Sequence, residues 1–202
     1  MIAIIDYGVG NLFSLSASLK KLEIPTIITN DHQKIADASH IILPGVGAFG
    51  DASEILRNTG LDQIVIENSK KKPLMGICLG MQLLFEKGYE FGEYDGLGLI
   101  PGDVVGMKDK ISSDLKVPHM GWNKLDIKSD CPILKYTKSN DYVYFVHSFY
   151  AKTPEKFVAA TANYDIDLTA TVQNENIFGC QFHPEKSGEV GLRMLKAFYE
   201  YN

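Results

Sequence analysis

Two hydrophobic patterns alternate along the first half of the chain. Uninterrupted apolar runs, MIAII (1–5), TIIT (26–29), HIIL (40–43) and PLMGI (73–77), read as short strands buried on both faces. Between them the apolar positions take helical spacing. Leu12, Leu15, Leu19 and Leu22 share one helical face, and 48–71 holds one or two helices broken near Gly60. MQLLFEKG (81–88) is predicted as a short helix ending at its glycine. Such alternation implies a parallel sheet covered by helices on both faces.

From about 97 to 183 the pattern changes to strands and turns. VVGM (104–107), YVYFV (142–146), FVAATANY (157–164), LTATVQ (168–173) and IFGCQFH (177–183) follow one another with little helix between. They predict a continuation of the sheet plus antiparallel hairpins. A last amphipathic helix is expected over 187–201, with Val190, Met194, Phe198 and Tyr201 as its apolar stripe. No repeat, low-complexity tract or Pro/Gly-rich linker interrupts the chain. The expectation is one α/β domain over 1–202: a mostly parallel central sheet flanked by helices, with antiparallel hairpins added in the second half.

Composition narrows the possible functions. The chain has 202 residues, 45% of them hydrophobic, and a formal net charge of −5, which speaks against nucleic acid as a partner. The cluster Lys70, Lys71 and Lys72 reads as a solvated helix end before a strand. No apolar run approaches the ~18 residues that a membrane span needs. The amino terminus lacks the basic region and cleavage site of a signal peptide, so the cytoplasm is the expected compartment. Three cysteines, Cys78, Cys131 and Cys180, do not make a disulfide framework, and none has zinc-ligand spacing. Neither a metal site nor a cofactor is expected. Cys180, inside a predicted strand, reads as core.

Two motifs carry chemistry. Gly76-Ile77-Cys78-Leu79-Gly80 is a G-x-C-x-G between a predicted strand and a predicted helix. The serine version of this turn exposes a nucleophile, because small flanking residues let the chain reverse sharply. A cysteine at a helix amino end meets free backbone N–H groups and the positive dipole end, which favour thiolate and can hold an oxyanion. Taken alone, the motif fits a buried cysteine between packing glycines equally well. His183-Pro184-Glu185 follows the strand FGCQF; residues i and i+2 of an extended segment share a face, which would let Glu185 orient His183. Taken alone, this pair also fits a strand-capping histidine beside an exposed glutamate. Gly45-Val46-Gly47-Ala48-Phe49-Gly50 matches the G-x-G-x-x-G dinucleotide fingerprint. The next clear strand leads to Cys78 rather than to a ribose-binding acid, which weakens the nucleotide alternative.

Together the motifs GICLGMQ (76–82), FHPE (182–185) and the upstream PGVGAF (44–49) resemble the class I glutamine amidotransferases, in order and in spacing. The resemblance implies a flavodoxin-like fold and hydrolysis of glutamine to glutamate and ammonia through a glutamyl thioester. Cys78, His183 and Glu185 would then be catalytic, with Val46, Gly47 and Leu79 forming the oxyanion hole. Gly45, Gln82, His147, Ser148 and Phe149 would contact glutamine.

DYGVGNLFSL (6–15), PHMGWN (118–123), YFVHSFY (144–150) and FHPEKSG (182–188) further resemble the branch of that family serving imidazole glycerol phosphate synthases. That branch implies an ammonia-consuming cyclase as partner in a 1:1 heterodimer, making imidazole glycerol phosphate and AICAR in histidine biosynthesis. Asn11, Trp122 and Lys186 are the candidate contacts; core packing for Trp122 and simple exposure for Lys186 are equally open. Three alternatives remain at this level. They are a related glutaminase feeding another synthase, such as one amidating a surface sugar, a non-catalytic regulatory subunit with the same fold, and a general thiol hydrolase.

Overall fold

A computed structural model describes residues 1–201. The first half contains β1 (Ile2–Ile5), α1 (Leu12–Lys21), β2 (Thr26–Thr29), α2 (His32–Asp37), β3 (His40–Leu43), α3 (Phe49–Thr59), α4 (Leu61–Ser69) and β4 (Leu74–Ile77). A short α5 (Leu79–Gln82) and the small strands β5 (Lys87–Gly88) and β6 (Tyr94–Asp95) follow. The second half contains β7 (Asp103–Gly106), β8 (His119–Lys124), β9 (Asp126–Ile127), β10 (Tyr142–His147), β11 (Phe149–Lys152), β12 (Val158–Tyr164), β13 (Ile166–Asn174) and β14 (Ile177–Cys180). Helix α6 (Gly188–Tyr199) closes the chain.

The central sheet has eight strands in the order β2-β1-β3-β4-β14-β13-β12-β9. From β2 to β14 every pair is parallel; β13, β12 and β9 continue the sheet antiparallel, as the change of pattern after 97 predicts. Alternate residues of the inner strands face opposite cores. Ile42, Met75, Ile77, Phe178 and Cys180 pack with α1 and α6. Ile41, Leu43, Leu74 and Ile177 pack with α3 and α4. Two faces buried at once explain why these strands are uninterrupted apolar runs. Two smaller sheets, β10-β8 and β11-β7-β5-β6, stand beside the main one.

Three sequence expectations change. The helix expected over 81–88 spans only Leu79–Gln82. The carbonyls of Leu83, Leu84, Phe85 and Glu86 accept instead from the amides of Leu97, Leu99, Gly98 and Gly96, so a neighbouring loop takes the bonds a helix would use. Strand β8 and helix α2 were not anticipated: β8, HMGWNK, has a glycine within it and exposes its apolar Met120 and Trp122, and α2 is a six-residue helix with Asp31 as its N-cap. The cluster 70–72 is not simply solvated. Lys72 Nζ donates to the carbonyls of Ala38, at 2.7 Å, and Ala36, closing the carboxyl end of α2 where cations are favoured.

Candidate active site

Cys78 stands between β4 and α5 with φ 54° and ψ −111°, a backbone conformation that L residues rarely hold. The flanking glycines make this turn possible. A Cβ on Gly76 would lie 2.5 Å from the Gly80 carbonyl oxygen, and one on Gly80 would lie 1.8 Å from the Leu43 carbonyl oxygen. The turn is pinned by Cys78 N–H donating to the Cys180 carbonyl at 2.8 Å, while the Cys78 carbonyl accepts from Gln82 N–H at 3.1 Å. The strained cysteine is therefore wedged between β3, β4 and β14, and its sulfur projects beyond the carboxyl ends of the parallel strands.

His183 arrives from β14 by a change of partner. Gln181 N–H still bonds the Ala170 carbonyl of β13, but His183 N–H bonds the Tyr144 carbonyl of β10 at 2.9 Å. Pro184–Lys186 then form a 3₁₀ turn, so the i, i+2 strand geometry expected for His183 and Glu185 does not occur. The turn nonetheless brings His183 Nδ1 within 2.8 Å of Glu185 Oε1, both side chains being 2% exposed. Asn11 Nδ2 also approaches Oε1, at 3.4 Å. Burial alone would depress the His183 pKa, but the hydrogen bond to Glu185 and the nearby charges of Cys78 and Glu185 outweigh it and raise it to about 10. His183 Nε2 itself has no partner in hydrogen-bonding geometry, so Cys78 lies near the ring without being bonded to it. The thiol instead lies 3.9 Å from the Val146 carbonyl and 3.7 Å from Gln181 Nε2.

A cavity of about 300 Å³ opens over Cys78 and His183. Val46, Gly47, Leu79 and Gln82 form one part of its wall; Val146, His147, Ser148 and Phe149 form another. Glu90, to which no motif pointed, and Pro118 of the PHMGWN segment complete it. Most of the residues singled out in sequence thus converge on one small cavity. Gly45 does not line it: a Cβ there would lie 2.7 Å from the Tyr7 hydroxyl and 2.8 Å from Gly80 N, so this glycine serves close packing. Both the His147 ring nitrogens and the Gln82 amide nitrogen are engaged by other protein groups.

Sequence reasoning also missed Gln181 and Tyr7. Gln181, two residues before His183 on the same extended run, accepts from Gln82 Nε2 at 3.0 Å; period-two alternation is the signal that would have found it. The buried Tyr7 hydroxyl donates to the Pro44 carbonyl at 2.7 Å and props the Pro44–Gly47 loop; its pKa is pushed up, first by burial and then by the charge of Cys78.

The nucleotide alternative fails on geometry. Glu90 Oε2 accepts from Phe49 N–H at 2.9 Å, placing a carboxylate where a phosphate would sit, and a Cβ on Gly50 would strike the Tyr94 ring. Trp122 is 55% exposed, which excludes core packing, and it meets the Tyr144 ring edge-on at 6.1 Å. Exposed Lys186 places Nζ 5.8 Å from the same Tyr144 ring, so the two share a surface. A larger groove of about 950 Å³, lined by Lys110, Lys152 and Lys156, contains none of these groups.

The family model for glutamine amidotransferase class-I matches residues 3–201. The chain belongs to this family. Among curated relatives, imidazole glycerol phosphate synthase subunit HisH of Caldanaerobacter subterraneus is 51% identical, with 99% of this chain and 98% of that protein covered. The protein of the same description from Lactococcus lactis is 46% identical, with 98% of each chain covered. Among solved structures, PurLQS from Thermotoga maritima superposes with a TM-score of 0.76 at 21% identity, covering 99% of this chain and 97% of that one. A glutamine amidotransferase crystal structure superposes with a TM-score of 0.75 at 17% identity, covering 98% and 100%. These structural likenesses establish the class I amidotransferase fold, including the extended sheet.

Proposed function

We propose that this chain is the glutaminase subunit of an imidazole glycerol phosphate synthase, hydrolysing glutamine and passing ammonia to a cyclase subunit in histidine biosynthesis. The observation that carries this is the meeting of Cys78 in one small cavity with His183, itself paired to Glu185, in a chain half identical over its length to a HisH subunit. One domain over 1–202 performs the chemistry, in the cytoplasm, as one half of a 1:1 heterodimer.

In this mechanism the sulfur of Cys78, its proton held on His183, attacks the side-chain amide carbon of glutamine. The tetrahedral oxyanion is held by backbone N–H groups of Leu79 and of the Val46–Gly47 segment. Leu79 opens α5, so its amide has no acceptor within the helix. Gly47, at φ 100°, gives its peptide a freedom other residue types lack. The oxyanion collapses, the C–N bond breaks, and His183 returns the proton to the departing nitrogen, releasing ammonia and leaving a thioester. Water, deprotonated by His183, then hydrolyses the thioester to glutamate. Glu185 orients the imidazole and stabilises its charged form. Glu90, the carboxylate in the cavity wall, is placed to receive the ammonium of a free amino acid. Gln82 and His147, which line the cavity and could contact glutamine, also hold the Ser148–Phe149 wall.

Neutral ammonia is the useful nucleophile, and water at neutral pH protonates most of it, which favours direct delivery to a docked enzyme. The exposed face of the β8–β10 sheet, with Met120, Trp122 and Tyr144, lies beside the cavity through Val146 and forms the docking surface, with Lys186 and Asn11 at its border. The test is ammonia release from glutamine with and without the histidine-pathway cyclase and its nucleotide substrate, Cys78→Ala serving as blank. Cys78-dependent release that rises in the complex is expected. No release in either condition would overturn the assignment and leave a different synthase or a silent subunit.

A further inference from the structure

Behind the outer face of β8 a line of polar side chains runs inward to the nucleophile. Successive residues of a strand point to opposite faces, so Met120, Trp122 and Lys124 face out while His119 and Asn123 face in. His119 stands directly opposite His147 in the antiparallel register of β8 and β10. Asn123 Nδ2 lies 2.9 Å from the Asn163 carbonyl and 3.2 Å from His119 Nε2. His119 Nδ1 lies 3.1 Å from His147 Nε2, and His147 Nδ1 lies 2.8 Å from the Phe149 carbonyl. The same carbonyl accepts from Gln82 Nε2, which also bonds Gln181 Oε1; Gln181 Nε2 then faces Cys78 Sγ at 3.7 Å.

Only one arrangement of protons satisfies this line. A carbonyl accepts and cannot donate, so His147 Nδ1 carries the hydrogen and its Nε2, in the neutral ring, accepts. His119 Nδ1 must then donate, which leaves its Nε2 to accept from the Asn123 amide. A proton added to His147 would set two N–H groups against each other, and turning the His119 tautomer would only move that clash to Asn123. Burial agrees with the geometry, holding His119 down to about 4 and His147 to about 3. The His119 ring is also held in place, stacked between Phe145 at 4.8 Å and Tyr164 at 4.2 Å.

We propose that the neutral His119–His147 pair is a positioning relay, through which a partner seated on the Met120–Trp122 face of β8 sets the Ser148–Phe149 wall of the cavity. The inference rests on the glutaminase reading above and extends it to regulation of that site. Outward and inward side chains of one short strand move together, so pressure on Trp122 displaces His119 and Asn123 as well. Because no alternative tautomer fits, the line does not absorb such a displacement by proton exchange. The movement passes to His147, to the carbonyl of Phe149, and to the two glutamine side chains that reach Cys78.

The test compares His119→Phe, which keeps a stacked ring and removes both links, with His119→Asn, whose amide can still donate toward His147. Glutamine hydrolysis is measured with and without the cyclase subunit. In His119→Phe the stimulation of kcat by the cyclase is expected to fall at least about ten-fold, while alkylation of Cys78 by a small neutral reagent changes less than about two-fold; His119→Asn recovers most of the stimulation. Stimulation retained in His119→Phe, or lost equally in both variants, overturns the relay. Should His119→Phe not fold, nitrogen-15 NMR of the wild-type imidazoles at neutral pH decides. Both rings are expected as neutral Nδ1–H tautomers, with His147 signals shifting when cyclase binds. An Nε2–H tautomer on either ring, or unmoved His147 signals in the complex, overturns it. A wild-type complex without any hydrolysis would count against the glutaminase assignment instead, and the tautomers would still decide the relay.

Discussion

At the scale of single residues, His183, the proposed base, is set by the balance of its surroundings. Burial works against its charged form, while Cys78 and Glu185 favour that form and prevail, raising the pKa from 6.5 to about 10. A raised folded-state value means a stabilising contribution that is complete below about 6.5 and is lost as pH rises through about 10. Removing the carboxylate removes part of that support. Glu185→Gln should lower kcat by about 10²–10⁴-fold and move the alkaline limb of the rate profile to lower pH, as measured by kcat/KM against pH. An unmoved limb would show that another group supports the imidazolium. Asn11 donates to the same carboxylate oxygen, so a residue expected only at the partner surface also touches the proposed triad.

Among the elements, the β4–α5 elbow and the β8 strand play opposite parts. The elbow tolerates nothing larger than glycine. Gly80→Ala would drive a Cβ to 1.8 Å from the Leu43 carbonyl and should cost about 3–5 kcal/mol of stability, read as a shift of the urea midpoint. A shift small enough to leave the midpoint unchanged would mean β3 can retreat from the elbow. On β8, in contrast, Trp122 contributes little to the fold. Trp122→Ala should change stability by less than about 0.5 kcal/mol yet weaken cyclase binding by at least about 2 kcal/mol, roughly 30-fold in Kd, in a calorimetric titration. Equal affinity for the variant and the native chain would move the docking surface elsewhere.

Across the whole molecule, the sheet separates two cores and gathers the site along the carboxyl ends of its parallel strands. The buried histidines beside that edge tie global stability to pH on the acid side. His119 and His147 stay neutral in the fold to about 4 and about 3, against 6.5 when unfolded, so the unfolded chain takes up protons first. Stability should therefore fall as pH drops from about 6.5 toward 4, seen as a declining urea midpoint, with a shallower decline in His119→Phe. An identical slope in that variant would assign the acid sensitivity to other groups.

The first-half alternation of strand and helix was legible because both faces of the parallel strands are buried, which turns them into unbroken apolar runs. Cys78, His183 and Glu185 were legible because their motifs constrain a tight turn and a short local pairing. Gln181, Tyr7, Glu90 and the contact of Asn11 with Glu185 were not, since each acts through a segment distant in sequence or through a plain surface-like residue type. The helix expected over 81–88 failed for a related reason: its carbonyls bond to the loop 96–100, a competition that local periodicity does not register. By itself, then, the sequence determined the fold class and the family, and pointed to the residues proposed to react. The tertiary structure alone decided which distant side chains prop, orient and connect them, because hydrogen-bond direction and burial exist only once the strands are paired.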